Sequence, residues 1–316
     1  MNGSKTIYNL YAAKKDLLQK SILNFSSSTS TLAKVGVELE FYVLAADQQN
    51  QGFAANQPCI PNQNQLENYL AELQKIFSNP QNNLIYKIET EQGAAQLEAK
   101  FAHGADLLKL CDEIENFKIV AGEIAAQNNL VACFAAQPFV DDCGCAMQFN
   151  FSLHDVENDQ NLFNEKNNLF LATIAGMLDS TQKAMIFFAP DEKDYLRFDQ
   201  KNNENLHKKG KYCAPTNISF GDDNRTTAIR VPAKKSAQKS AQQNDCRIEF
   251  RVPSANAQPH LSLKFLLDEI ADAIFQNKAP QQEQKIYGNA FEAQYKLKKL
   301  PQNLQEAHEN FLKFYS

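Results

Sequence analysis

Nowhere among the 316 residues is there an apolar run long enough to cross a bilayer, so no helical membrane span is expected. The first twenty residues lack a continuous hydrophobic core followed by a cleavage site, and no secretory leader is expected either. Cysteine is present but unorganised: seven residues, an odd number, with no C-x-x-C pair, in a chain too large to need disulfide staples. That usage points to reduced thiols in a cytoplasmic protein. The closest pair, Cys143 and Cys145, reads as small residues in a glycine-containing turn. An excess of positive charge is missing as well. The formal net charge is −5, which argues against nucleic acid as the main partner. There is no internal repeat. What remains is the composition of a soluble globular protein, 43% hydrophobic and 22% charged, with length enough for a sizeable core.

The informative stretches are those with a period of two. In C-R-I-E-F-R-V-P, 246–253, Arg247, Glu249 and Arg251 alternate with Ile248, Phe250 and Val252, the signature of a strand with one apolar face. The same reading applies to 35–44, where Glu38 and Glu40 alternate with Val37, Leu39 and Phe41. It applies again to 147–153, where Gln148, Asn150 and Ser152 alternate with Met147, Phe149 and Phe151. Glu91 and Glu98 flank a Gly-Ala-Ala turn, with Gln96 and Glu98 on one face of the strand that follows, and Arg225 and Arg230 lie in or near a strand within 212–232.

Helical spacing predicts helices over 8–24, 66–77, 104–127, 162–183, 261–275 and 300–314, the last starting near Pro301. The serines of 26–30 are expected to end the first of these. Residues 46–65 and 234–244 read as surface excursions, and 199–211 as a polar loop long enough to act as a flap. Strands and helices are mixed along the chain, so the class is α+β.

Two carboxylates at i and i+2 on one strand face repel each other unless a cation sits beside them. Sites rich in carboxylates and poor in His or Cys suit hard cations such as magnesium or manganese. Adding arginines suits phosphoryl transfer from ATP, where positioning and charge neutralisation do most of the work. A solvated sheet face with cross-strand ion pairs would account for any one of these strands, but hardly for several together.

The ordered set resembles the catalytic domain of the glutamine synthetases. That family carries G-x-E-x-E-F, E-x-x-x-G-Q-x-E, a long helix leading to N-G-S-G-M-H-x-H-x-S-L, then Y-E-A-P, N-R-x-x-x-I-R-[IV]-P and R-I-E-x-R. Here the counterparts are G-V-E-L-E-F at 36–41, E-Q-G-A-A-Q-L-E at 91–98, C-G-C-A-M-Q-F-N-F-S-L at 143–153, Y-C-A-P at 212–215, N-R-T-T-A-I-R-V-P at 224–232 and R-I-E-F-R at 247–251. The resemblance implies a curved, mostly antiparallel sheet flanked by helices, over a catalytic domain of residues 35–316 preceded by an N-terminal helix and linker, 1–34. It implies ATP and two or three magnesium or manganese ions as cofactors, and a carboxylate and an amine as substrates. The reaction implied is phosphorylation of a γ-carboxylate, followed by attack of the amine on the acyl phosphate.

Residue by residue, Glu40, Glu91 and Glu98 would hold the metal nearest the amino-acid substrate, and Glu38 and Glu249 the one bridging the ATP phosphates. Arg225 and Arg230 would lie along the transferred phosphoryl group and ATP, Arg247 at the nucleotide end with Asn150 and Ser152, and Arg251 and Gly144 at the substrate. The departures are equally specific. The family's histidine ligand is Gln148, its phosphate-touching histidine is Asn150, and its substrate-binding Asn-Gly pair is Cys143-Gly144. The flap glutamate is Cys213, and the substrate arginine six residues earlier is His207; with Arg225 these two are the candidate catalytic residues that the resemblance implies. The family's small N-terminal domain, which completes a neighbouring copy's active site, is expected to be lacking, while assembly with further copies of the chain stays open. The resemblance thus implies an ATP-dependent carboxylate–amine ligase with a rewritten amine half. The alternative is a catalytically silent relative that binds nucleotide or acts as a regulatory partner.

Overall fold

The computed structural model describes residues 2–46, 60–79, 83–164, 167–233 and 246–315. The expected excursions at 46–65 and 234–244 lie largely outside them.

Strand β1 (Thr31–Ala45) runs through the middle of a mostly antiparallel sheet and is its longest strand. On one side it pairs with β3 (Gln96–Gly104), which pairs in turn with β2 (Ile85–Thr90). Its C-terminal half also pairs with β4 (Leu130–Cys133), and its N-terminal half with β5 (Met147–Asp155). Beyond β5 come β8 (Ile248–Phe250), then β7 (Ile229–Val231), then β6 (Phe220–Asp222), the β6–β7 pair alone being parallel.

The period of two sorts side chains as the sequence requires. Val35, Val37, Leu39 and Phe41 of β1, Met147, Phe149 and Phe151 of β5, and Ile248 and Phe250 of β8 are buried in one apolar face. Onto this core pack α4 (Leu107–Gln127), α5 (Asn168–Lys183) and α8 (Pro259–Phe275), with Phe117 of α4 edge-on to Phe41 and Phe101. Gly176 lets α5 approach α8 closely, since a Cβ there would lie 2.6 Å from the Glu269 carbonyl oxygen.

Four expectations about helices need correction. The N-terminal segment is two helices, α1 (Asn2–Ala12) and α2 (Lys14–Thr29), broken at Ala13. The serine run does not end the helix. Ser27, Ser28 and Thr29 turn their hydroxyls back onto the carbonyls of Asn24 and Phe25, and α2 stops only at Ser30, whose φ is 54°. The supposed loop at 199–211 contains helix α7 (Gln200–Lys208), started by Asp199 accepting from the Asn202 N–H at 2.7 Å. The last helix, α9 (Leu304–Tyr315), starts a turn later than expected, with Asn303 accepting from the Glu306 N–H. Helix α3 (Gln63–Ile76) starts from a reciprocal cap between Asn62 and Gln65, and a four-residue helix, α6 (Met185–Phe188), follows α5.

Candidate active site

The opposite face of the sheet is polar and forms the floor of a cavity of about 300 Å³. Strand register brings its residues together from distant parts of the chain. Glu40 lies opposite Glu98, Glu38 is flanked by Lys100 and Gln148, and Glu249 by Asn150 and Arg230. Carboxyl groups therefore gather over β1 and β3, and guanidinium groups over β7 and β8. Glu38, Glu40, Glu91, Glu98, Gln148, Glu249, Arg225, Arg230, Arg247, Arg251, Gly144 and Cys213 all line the cavity. Asn150, Ser152 and His207 lie outside its wall.

Electrostatics separates the two ends. Glu40 accepts from the Ala146 N–H and from Gln148 Nε2, each at 2.8 Å. Even so, burial, reinforced by the charge of Glu98, pushes its carboxyl up to about 8. Burial also raises Glu38, Glu91 and Glu98, helped at Glu38 by Glu98 and Glu249. Lys100 offsets part of this charge, pairing with Glu98 at 2.9 Å and with Glu89 at 2.8 Å. A group of oxygen donors that repel one another and resist ionisation fits a divalent cation: the ion would supply the missing counter-charge, and hard oxygen ligands suit magnesium and manganese.

Glu249 behaves differently. Burial opposes its charge, but Arg251 and Arg230, each donating to one of its oxygens at 2.6 Å, hold its carboxyl below the usual range. Arg230 also pairs with Asp223. Among the described residues, Arg225 and Arg247 pair with no carboxylate. Arg225 lies over the Tyr212 ring at 4.2 Å, and Arg247 donates to Asn150 Oδ1 at 2.9 Å. Two guanidinium groups without a carboxylate partner, in a cavity that also carries carboxylates, suit phosphate oxygens. Arg251 is buried, with its Nε lacking a partner, which leaves a donor for a further acceptor.

Several expected site residues occupy particular settings. The oxygen of Gln148 accepts from Arg251 at 3.2 Å while its nitrogen faces Glu40, so as placed the amide bridges the two ends of the cavity. Ser152 is buried and its hydroxyl meets Nε2 of His103 and of His154 at 3.0 and 2.9 Å. His207 sits on the last turn of α7, its ring centroid 6.0 Å from that of Phe291, and faces a neighbouring cavity. Gly144 is required by space: a Cβ would lie 2.9 Å from the Ala136 carbonyl oxygen and 2.9 Å from Arg197 Cγ. Burial pushes the Cys143 thiol up to about 12 and raises Cys213 as well, so both are neutral thiols.

The structure adds residues that sequence reasoning missed. Arg197 is buried in the wall, donates to the carbonyls of Val252 and Arg251, and is pulled down by burial to about 10. No local pattern marks it. Lys100 could have been found, since it shares the strand face of Glu98 two residues on. Asp142 joins the segments of Ala94, Cys143 and Lys211, accepting from the N–H groups of Ala94 and Cys143 and from Lys211 Nζ at 2.7 Å. Outside the cavity, Asp112, Glu115 and His260 form a second acidic cluster, but Lys15 and Lys14 already pair with its carboxylates, which makes it an ion-pair network.

The chain is similar to several curated proteins and solved structures. Gamma-glutamylputrescine synthetase of Escherichia coli is 26% identical over 275 residues, covering 82% of this chain and 54% of that protein. Glutamate–methylamine ligase of Methyloversatilis universalis is 28% identical over 235 residues, covering 71% and 49%. The chain thus spans about half the length of the curated relatives it matches. The solved structure of a GmaS/ADP complex superposes with a TM-score of 0.74 over 95% of this chain and 68% of its own, at 19% identity, a likeness of fold. A family model of the glutamine synthetase catalytic domain matches residues 14–313, and the chain belongs to that family.

Proposed function

We propose that this protein is an ATP- and divalent-metal-dependent carboxylate–amine ligase, which forms a γ-glutamyl phosphate and then an amide with ammonia or a larger amine. One observation carries the reading: a single cavity holds mutually repelling carboxyl groups at one end and, at the other, two guanidinium groups, Arg225 and Arg247, that pair with no carboxylate among the described residues. The relatives named above, which join glutamate or a γ-glutamyl group to amines by name, support the same class.

Glu40, Glu91, Glu98 and Glu38 would hold the divalent ions, which when bound neutralise charge on the ATP phosphates. Arg225 and Arg247 bind phosphate oxygens, and Arg251 presents its Nε to the acid substrate. The substrate carboxylate attacks the γ-phosphorus and ADP leaves. A neutral amine nitrogen then attacks the carbonyl carbon, the bond from that carbon to the phosphate oxygen breaks, and the phosphate departs with the electron pair and one proton from nitrogen. Burial of the cavity strengthens each of these charge contacts.

Calorimetric titration of a non-hydrolysable ATP analogue, with and without magnesium, into wild type and Glu91→Gln tests the reading. Glu91 is chosen because, among the described residues, it makes no buried ion pair whose loss would unfold the chain. Metal-dependent binding weakened about tenfold or more by the substitution is expected, about 1.4 kcal/mol. Equal binding in both proteins with and without magnesium would refute it. The silent relative is a second reading, favoured by the neutral thiol at Cys213 and by the Gln148 oxygen being engaged with Arg251. It predicts nucleotide binding without hydroxamate when glutamate and hydroxylamine are added.

A further inference from the structure

Beside the candidate active site lies a second cavity of about 530 Å³, and the two share the wall formed by Tyr212, Cys213 and Arg225. Nothing in the ligase reading uses this space, yet its volume is that of a small-molecule site. Cys213 is buried, and its thiol points to the Arg225 carbonyl at 3.7 Å. A neutral thiol in this wall offers no anion to hold a bare ammonium ion. Free ammonia would therefore find little to bind it, whereas an amine with a tail would find room behind its nitrogen.

The charges around the second cavity restrict that tail. Asp222 pairs with Lys285 at 2.9 Å, Asp223 with Arg230, and Lys211 with Asp142 at 2.7 Å. Among the described residues, the charged group of this wall left without a carboxylate is Arg225, a cation. The wall's carboxylates are already paired, and Arg225 offers an ammonium group nothing, so a tail ending in one would lose its hydration without gaining a partner. Uncharged polar contacts are available instead: the Tyr212 and Tyr287 hydroxyls make no hydrogen bond to described residues, and both side chains line the cavity.

We infer that the second cavity is the tail pocket of the amine substrate, and that it takes primary amines with an uncharged, hydrogen-bonding tail, such as alkanolamines or phenolic arylalkylamines. The inference rests on the ligase reading. The bond-forming step is the one written above, with the tail carbon carried on the attacking nitrogen.

The experiment separates the two. Hydroxylamine, small enough to need no tail pocket, traps the acyl phosphate as hydroxamate and reports the ligase chemistry by itself. Phosphate release is then measured with ammonia, 1,4-diaminobutane, ethanolamine and tyramine, in wild type and in Tyr287→Ala. Tyr287 is 82% exposed, so its truncation leaves the fold intact. Expected are hydroxamate formation, a kcat/KM for ethanolamine or tyramine about tenfold or more above those for ammonia and 1,4-diaminobutane, and a rise in the ratio of that amine's KM to the KM for hydroxylamine in Tyr287→Ala. Hydroxamate formation with ammonia or the diamine as the best acceptor, or an unchanged KM ratio in the variant, overturns the tail pocket and leaves the ligase reading standing. Absence of hydroxamate removes both.

Discussion

Glu40 shows how a single residue can couple the site to stability. Two donors hold its oxygens, yet burial and Glu98 keep its carboxyl near 8. A carboxyl raised on folding favours the native state at low pH, and this contribution is lost as pH rises through the folded value. With a chelator present, the unfolding midpoint should therefore fall as pH rises from about 4.5 to about 8 and level off above that. Magnesium or manganese should shrink that fall, and proton release should accompany metal binding in calorimetry. A midpoint equally pH-dependent with and without metal would sink the idea. Glu249 carries the opposite balance, ionised between Arg230 and Arg251. Glu249→Gln leaves two guanidinium groups facing a neutral amide, with an expected loss of about 3 kcal/mol or more in urea denaturation, as for other broken buried pairs. Both glutamates were legible in the sequence, because alternation on a strand fixes the face. Arg197 was not: it lies on a short 3-10 helix, Glu192–Phe198, and its partners are backbone carbonyls more than fifty residues away.

Among the elements, the same contrast separates strands from caps. The polar strands were legible because apolar and polar residues alternate over 37–41 of β1, 147–153 of β5 and 248–250 of β8. Helix α7 was not, since Leu206 is the one aliphatic residue between 199 and 211 and the helix is held by polar contacts. The serines of α2 misled for the reverse reason: residues that favour turns were absorbed by bonding back to their own helix. Asn203 is central to α7. It donates to the carbonyls of Arg197 and Asp199 and accepts from the Ala214 N–H at 2.6 Å, joining the turn of Arg197, the helix and the Tyr-Cys-Ala-Pro segment. Asn203→Ala strands buried backbone groups on both sides, at a cost of about 2 kcal/mol or more. Faster amide exchange at Ala214 than at core strands would check that the segment has been released. Unchanged exchange there would mean that the helix, and not this side chain, positions it.

At the scale of the whole molecule, the sequence made the motifs of the cavity legible but not which strands neighbour which. Pairing of β1 with β3, β4 and β5, and of β5 with β8, is settled by tertiary packing that no local pattern encodes. The wall of the cavity is drawn from residues as far apart as Glu38 and Arg251, joined through β1, β5 and β8. Contacts so distant in sequence close late, because loop entropy is lost before they repay it. During refolding from urea, helical signal should return first, and binding of the ATP analogue only with the slowest kinetic phase. Analogue binding that recovers as fast as the helices would show that the cavity forms ahead of its own sheet. A nascent chain that has not yet reached Arg225 carries Glu38, Glu40, Glu91 and Glu98 of the site but only Arg197 of its five arginines, so the capacity to bind nucleotide is among the last properties this protein acquires.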